Sequence, residues 1–129
     1  MGCLDLPRTN RPETPAQAWE AMLEGNQRFV SDKPSHVRQD FGLRTELAKE
    51  QKPFAALFGC SDSRLSAEII FDVGLGDLFV VRNAGQVIAE TILGSLEYAV
   101  EVLGVPLILV LGHDECGAIR TTMNSAEGQ

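Results

Sequence analysis

Long hydrophobic runs are missing from this chain of 129 residues. The longest apolar stretch, Val105 to Leu111, contains Pro106 and stops at Gly112, whereas a membrane-spanning helix requires ~20 apolar residues. The sequence therefore predicts a protein that does not associate with membranes. Residues 1–15 are polar and contain no apolar core of the kind that a secretory signal needs, so we expect a cytoplasmic location.

Positive charge and cysteine are also scarce. The chain has 11 Lys and Arg against 18 Asp and Glu, a formal net charge of −7. Because binding to a nucleic-acid backbone needs a concentrated basic patch, nucleic acid is not an expected partner. The three cysteines are widely separated, and in a reducing compartment such residues are more often metal ligands or nucleophiles than disulfide partners.

The remaining composition is that of a globular protein, with 44% hydrophobic and 22% charged residues. We expect a flexible leader over residues 1–13 and one α/β domain over residues 14–129. Thr14 and Pro15 predict the start of an amphipathic helix that carries Trp19 and Phe29, two side chains expected to cover the core or a partner subunit. Leu43 and Leu47 indicate a second, short helix.

Three apolar segments further along the chain predict strands, at residues 54–58, 78–81 and 105–111, and we expect the first two strands to be buried. Helical patterns separate and follow them, at residues 67–71, 91–103 and 119–123. Alternation of this kind predicts a central parallel β-sheet flanked by helices, here with an N-terminal helical arm. Since the third strand comes so late in the chain, we expect it to leave a sheet edge that something else covers.

Polar side chains follow the first and third strands. Cys60, Asp62 and Arg64 come after the first strand, and His113 and Cys116 come after the third. Because α/β sheets place their sites at the carboxyl ends of strands, these residues converge if the two strands are neighbours. Two cysteines and one histidine are a known ligand set for catalytic zinc, and soft sulfur and nitrogen ligands favour zinc over magnesium or calcium.

The spacing of Asp62 and Arg64 allows the guanidinium to bind the carboxylate with two hydrogen bonds. Such a pair keeps Asp62 ionised and oriented. Beside a zinc site, the carboxylate could accept a proton from water or bind the metal itself in an inactive arrangement. The alternative is an ion pair that only fixes the loop.

Three segments resemble the signature segments of the β-class carbonic anhydrases: residues 60–64 (CSDSR), 81–85 (VRNAG) and 113–117 (HDECG). The similarity runs from about Ala16 to Met123. It implies Zn²⁺ held by Cys60, His113 and Cys116, with Asp62 and Arg64 as a catalytic pair beside the metal. It also implies reversible hydration of CO₂ to bicarbonate and a proton, by attack of zinc-bound hydroxide, in a homodimer or a tetramer built from dimers.

The resemblance carries two further expectations. Four positions match family residues that line the substrate pocket, partly from the neighbouring chain: Gln51, Phe79, Ala84 and Tyr98. Family members also continue through further helices and at least one more strand, so the C-terminal portion of the family fold is expected to be absent from these 129 residues.

Two other functions are open at this stage. A truncated, inactive relative could keep the ligands, bind zinc and act as an interaction or thiol-sensing module. A sulfur-transfer enzyme could use Cys60 as its nucleophile without a metal, although this leaves His113 and Cys116 unexplained. Turnover of CO₂ separates the first alternative from the enzyme, since both bind metal.

Overall fold

A computed structural model describes residues 11–43, 47–48 and 50–127. The predicted leader and the predicted short helix at Leu43 to Leu47 lie largely outside the described residues. The helices are α1 (Pro15–Val30), α2 (Ala67–Ile70), α3 (Glu90–Glu101) and α4 (Gly117–Glu127), and the strands are β1 (Ala55–Cys60), β2 (Leu78–Asn83) and β3 (Ile108–Leu111).

The described strands form one parallel sheet in the order β2-β1-β3. This confirms the predicted α/β fold with a parallel sheet flanked by helices and an N-terminal helix. It also makes β1 and β3 neighbours, which is the arrangement that the convergence of the candidate ligands required.

The start of α1 follows from its sequence. The Thr14 hydroxyl accepts a hydrogen bond from the Gln17 N–H at 3.1 Å, and the Gln17 side chain accepts one from the Thr14 N–H at 3.3 Å. This reciprocal cap satisfies two backbone donors that the first helical turn leaves free, and Pro15 has no N–H to satisfy. The predicted helix start is confirmed.

The core lies on both faces of β1, whose six residues are all buried. Successive side chains of a strand point to opposite faces. Leu57 accordingly packs with Ala18 and Met22 of α1, whereas Ala56 packs with Ala99 of α3 and with Val105. Helices therefore cover both faces of the central strand, as predicted from its continuous apolar run.

The outer strands differ from their predictions. β2 was predicted as a buried strand but is only partly buried, because it lies at an edge of the sheet. β3 begins at Ile108 rather than at residue 105, and Pro106, which lacks an N–H, lies just before it. β3 occupies the other edge, as expected, and exposes Ile108 and Val110 on one face.

Two buried carboxylates hold α1 and the segment after it against the core through hydrogen bonds. Asp72 accepts hydrogen bonds from Arg28 Nε at 2.5 Å and from the backbone N–H groups of Ser35 and His36. Asp77 accepts from Arg38 Nε at 2.8 and 2.9 Å. Neither carboxylate was predictable, because residue types do not reveal which acidic residues become buried.

Among the residues that the structure describes, no helix is long and apolar enough to cross a bilayer.

Candidate metal centre

The register of the sheet brings the candidate ligands together. Gly59 of β1 pairs with Leu111 of β3, so the two strands end side by side. Cys60 is the last residue of β1, and His113 and Cys116 follow the end of β3. One ligand atom from each of these three residues lies within 4.8 Å of the other two. The predicted convergence is confirmed.

Both sulfurs are sheltered from solvent. Cys60 is 5% exposed and Cys116 is 8% exposed, and their Sγ atoms are 3.9 Å apart with no disulfide between them. Two cysteine sulfurs at this separation, with a histidine beside them, leave space for one tetrahedral metal ion between them.

The imidazole of His113 is oriented as a metal ligand would be. Its Nδ1–H donates to the Asp114 carbonyl oxygen at 2.8 Å, which leaves Nε2 with its lone pair. Nε2 is buried and has no hydrogen-bond partner among the described residues. A ligating histidine characteristically uses one nitrogen for the metal and donates the other N–H to a nearby carbonyl or carboxylate. The residues present therefore fit Zn²⁺.

Hydrogen bonds to its sulfur favour the ionised form of Cys60. The Gly85 N–H donates to Cys60 Sγ at 3.2 Å. This bond, together with the neighbouring His113 ring and the Asp62 backbone, lowers the pKa of the Cys60 thiol to about 7. The thiolate is the form that binds metal. The nearby Cys60 sulfur in turn raises the pKa of His113.

Asp62 and Arg64 form the predicted pair. Arg64 Nε donates to Asp62 Oδ1 at 2.9 Å and Arg64 Nη2 donates to Asp62 Oδ2 at 2.6 Å, while the Arg64 backbone N–H also donates to Oδ1 at 2.8 Å. These bonds hold the pKa of Asp62 well below its usual range. Asp62 Oδ2 lies 3.9 Å from His113 Nε2, so the carboxylate is adjacent to the ligand group.

Arg64 also connects the two loops of the site. Its Nη2 donates to the Glu115 carbonyl oxygen at 3.0 Å, so the loop after β1 is tied to the loop after β3. A cavity of about 420 Å³ lies beside the ligands. His113 and Cys116 line it together with Ile119 and Met123 of α4.

The four predicted pocket residues fall into two groups. Phe79 and Tyr98 pack against each other, with ring centroids 5.7 Å apart. Ala84 is exposed and directly precedes Gly85, and Gln51 is exposed in the segment that leads to β1. Their assignment to a substrate pocket stays a prediction.

Sequence reasoning did not identify Arg82 as part of the site. Its guanidinium donates to the carbonyl oxygens of Cys60, Asp62 and Leu65. The available signal was the segment at residues 81–85, which resembles a family signature but contains no metal ligand.

Comparison with known proteins agrees with the geometry. The family model described as carbonic anhydrase matches residues 55–129, which is more than half of the chain. The chain belongs to the carbonic anhydrase family. It is 58% identical over 118 residues to carbonic anhydrase 2 of Mycobacterium tuberculosis (strain CDC 1551 / Oshkosh), an alignment that covers 92% of this chain and 55% of the relative. This chain thus spans about half the length of the curated relatives it matches.

Solved β-carbonic anhydrases share the fold. The β-carbonic anhydrase CcaA superposes with a TM-score of 0.62 at 32% identity, over 86% of this chain and 56% of that chain. One of two tetrameric β-carbonic anhydrases from the filamentous ascomycete Sordaria macrospora gives a TM-score of 0.61 at 30% identity, over 81% of this chain and 53% of that chain. The resemblance to the β class is confirmed.

Proposed function

We propose that the chain catalyses the reversible hydration of CO₂ to bicarbonate and a proton, with Zn²⁺ held by Cys60, His113 and Cys116. One observation carries the proposal: two sheltered sulfurs converge beside an ionised carboxylate with a buried imidazole nitrogen that has no hydrogen-bond partner in the described part of the chain. Membership of the carbonic anhydrase family supports the same reaction. Bound zinc would supply Lewis acidity and an activated water at its fourth position.

The chain's own residues would orient the reaction. Asp62 is ionised and held by two side-chain hydrogen bonds from Arg64, so its carboxylate would accept a hydrogen bond or a proton from the reacting water. The same carboxylate could take the fourth ligand position in a resting state. CO₂ is small and apolar, so its pocket would be largely apolar. We assign this pocket to Phe79 and Tyr98, with Gln51 and Ala84.

We also propose a homodimer or a tetramer built from dimers, in the cytoplasm. Exposed apolar residues of α1, among them Trp19, Leu23 and Val30, support assembly. The similarity to tetrameric β-carbonic anhydrases supports it as well. The free thiols of Cys60 and Cys116 are compatible with a reducing compartment.

An inactive zinc-binding module is the second candidate. It is favoured by one observation, that the three candidate ligands lie within 4.8 Å of one another, which would suffice for metal binding alone. Such a module would bind metal through the same three residues without turning over CO₂.

Stopped-flow CO₂ hydration on zinc-loaded protein, followed with a pH indicator, separates the two candidates. We expect hydration well above the uncatalysed rate. Cys116→Ala should abolish it with loss of zinc, and Asp62→Asn should lower kcat/KM by about 100-fold or more with zinc retained. Cys3→Ala is the matched control and should behave as the parent protein. One zinc per chain without hydration would overturn the proposed enzyme in favour of the module.

A further inference from the structure

Arg82 donates three hydrogen bonds to the loop that carries Cys60 and Asp62. It lies on β2 opposite Gly59 of β1. Its Nε donates to the Cys60 carbonyl oxygen at 2.9 Å, and its Nη2 donates to the carbonyl oxygens of Asp62 at 2.9 Å and Leu65 at 2.8 Å. One side chain thereby fixes the backbone at three points between residues 60 and 65.

The guanidinium suits this task. It presents several N–H donors in a rigid planar fork and it accepts nothing. The loop leaves β1 at Cys60 and turns before α2 begins at Ala67, so its carbonyl oxygens have no continuing strand to bond. A lysine ammonium is a compact charge without the planar fork, so it cannot reproduce all three bonds.

The residues that follow Arg82 support the same loop. The Asn83 carbonyl oxygen accepts from the Ser61 N–H at 2.8 Å, and the Gly85 N–H donates to Cys60 Sγ. The Asn83 side chain exchanges two hydrogen bonds of 2.8 Å with the Val87 backbone, which closes the turn. Gly85 has φ +79, a left-handed conformation that glycine adopts without strain.

We propose that Arg82 is a positioning residue of the metal centre: its three hydrogen bonds hold Cys60 and Asp62 in the arrangement that binds the ion. This inference rests on the zinc site of the proposed function. It assigns a role to the segment at residues 81–85, which contains no metal ligand.

Substitution of Arg82 should therefore change metal binding by folded protein. Loss of the partners that orient metal ligands typically costs about 10–100-fold in metal affinity. We expect Arg82→Met to weaken Co²⁺ binding by about that factor and to alter the visible absorption bands of the bound cobalt. Arg82→Lys should lie between Arg82→Met and the parent protein, since an ammonium restores part of the bonding.

The test is Co²⁺ titration with a competing chelator, combined with absorption spectra, at a temperature where circular dichroism shows every variant to be folded. Arg28→Met is the matched control. Arg28 also donates to a backbone carbonyl oxygen, that of Asp72, and to the Asp72 carboxylate. We expect Arg28→Met to lower stability and to leave cobalt affinity and spectrum as in the parent protein.

Two outcomes overturn the inference. Unchanged cobalt affinity and spectrum in folded Arg82→Met would show that Arg82 only stabilises the fold, and this result would leave the proposed function standing. Equal losses in Arg82→Met and Arg28→Met would show a general effect of destabilisation. If instead Arg82→Met alone weakens cobalt binding but the zinc-loaded parent protein hydrates no CO₂, the inference stands and the proposed enzyme is wrong.

Discussion

Asp62 and Asp72 are both carboxylates that bind an arginine, but their surroundings differ. At Asp62, hydrogen bonds from Arg64 are the main cause of the lowered pKa. At Asp72, burial alone would raise the pKa, and hydrogen bonds from Arg28, Ser35 and His36 outweigh it, so the pKa still lies below its ordinary value. Asp62 adjoins the candidate ligands, whereas Asp72 fastens the segment after α1.

Asp72→Asn should destabilise the protein by about 2 kcal/mol at pH 7, because it weakens the hydrogen bonding of a buried group. The folded pKa lies below the unfolded value of about 3.9. The stabilisation from the ionised carboxylate is therefore present above about pH 4 and is lost as the pH falls through the folded pKa. The difference between the parent protein and the variant should shrink on acidification.

Urea unfolding from pH 7 down to pH 3 measures this difference. The matched control is Asp32→Asn, which changes an exposed carboxylate in the same segment and should shift the free energy of unfolding by less than about 0.5 kcal/mol. A difference between Asp72→Asn and the parent protein that stays constant down to pH 3 would contradict the assigned ionisation.

Single residues also show where sequence reasoning succeeds. Cys60, His113 and Cys116 were predictable because each follows an apolar strand, and the carboxyl ends of neighbouring parallel strands coincide. Arg82 was not, because its partners are backbone carbonyl oxygens. Which carbonyl oxygens an arginine reaches depends on the pairing of Gly59 with Arg82, and residue types do not reveal this register.

Among the elements, α1 and the turn after α2 approach each other closely at Gly25. A Cβ atom on Gly25 would lie 1.7 Å from the Phe71 carbonyl oxygen. Nearby, Asn26 Nδ2 donates to the Ile70 carbonyl oxygen at 3.1 Å. Glycine is therefore required by the contact between the two elements, although it weakens the helix that contains it.

Gly25→Ala and Gly94→Ala should have opposite effects. Alanine gains about 0.8–1 kcal/mol over glycine inside a helix. At Gly25 the clash with Phe71 should exceed this gain, and we expect a net loss of about 2 kcal/mol. At Gly94 of α3, no described atom lies within 4 Å of the added Cβ, so stability should rise by about 0.5–1 kcal/mol. Chemical denaturation of both variants measures these changes in the free energy of unfolding. A stabilised Gly25→Ala would refute the close approach.

The order of elements was predictable from periodicity, but their ends were not. Apolar runs indicated all three described strands, yet β1 and β2 extend two residues further than predicted, to Cys60 and Asn83. Glycine, cysteine and asparagine carry weak strand signals. Their extended conformation comes from parallel pairing along the whole of β1 and β2, which is a tertiary effect.

For the whole molecule, net charge and apolar surface act in opposite directions. A formal net charge of −7 opposes association between copies. Large apolar side chains nevertheless remain exposed on α1 and β3, among them Trp19, Leu23, Val30 and Val110. Leu23 follows Trp19 by 4 residues and Val30 follows it by 11. Both separations are close to whole numbers of helical turns, so the three side chains share one face of α1. Exposed apolar residues that share one helix face are typical of an interaction surface.

We expect the chain to be dimeric or larger at micromolar concentration, with the apolar face of α1 in the contact. Trp19 is the only tryptophan in the sequence and is 43% exposed in the isolated chain, so its fluorescence reports on this face directly. Dilution should shift the Trp19 emission to longer wavelength over the same concentrations at which sedimentation velocity shows dissociation. Leu23→Glu should give a folded monomer with red-shifted emission, because it places a charge in the contact.

The matched control for Leu23→Glu is a substitution of Glu97, an exposed residue of α3. Glu97→Leu removes a charge and adds an apolar group away from α1, and it should leave the sedimentation behaviour of the parent protein unchanged. If Leu23→Glu sediments as the parent protein does and its Trp19 emission is also unchanged, α1 takes no part in assembly. The exposed residues of β3 would then be the surface to test, since Ile108 and Val110 lie on a sheet edge that no described strand pairs with.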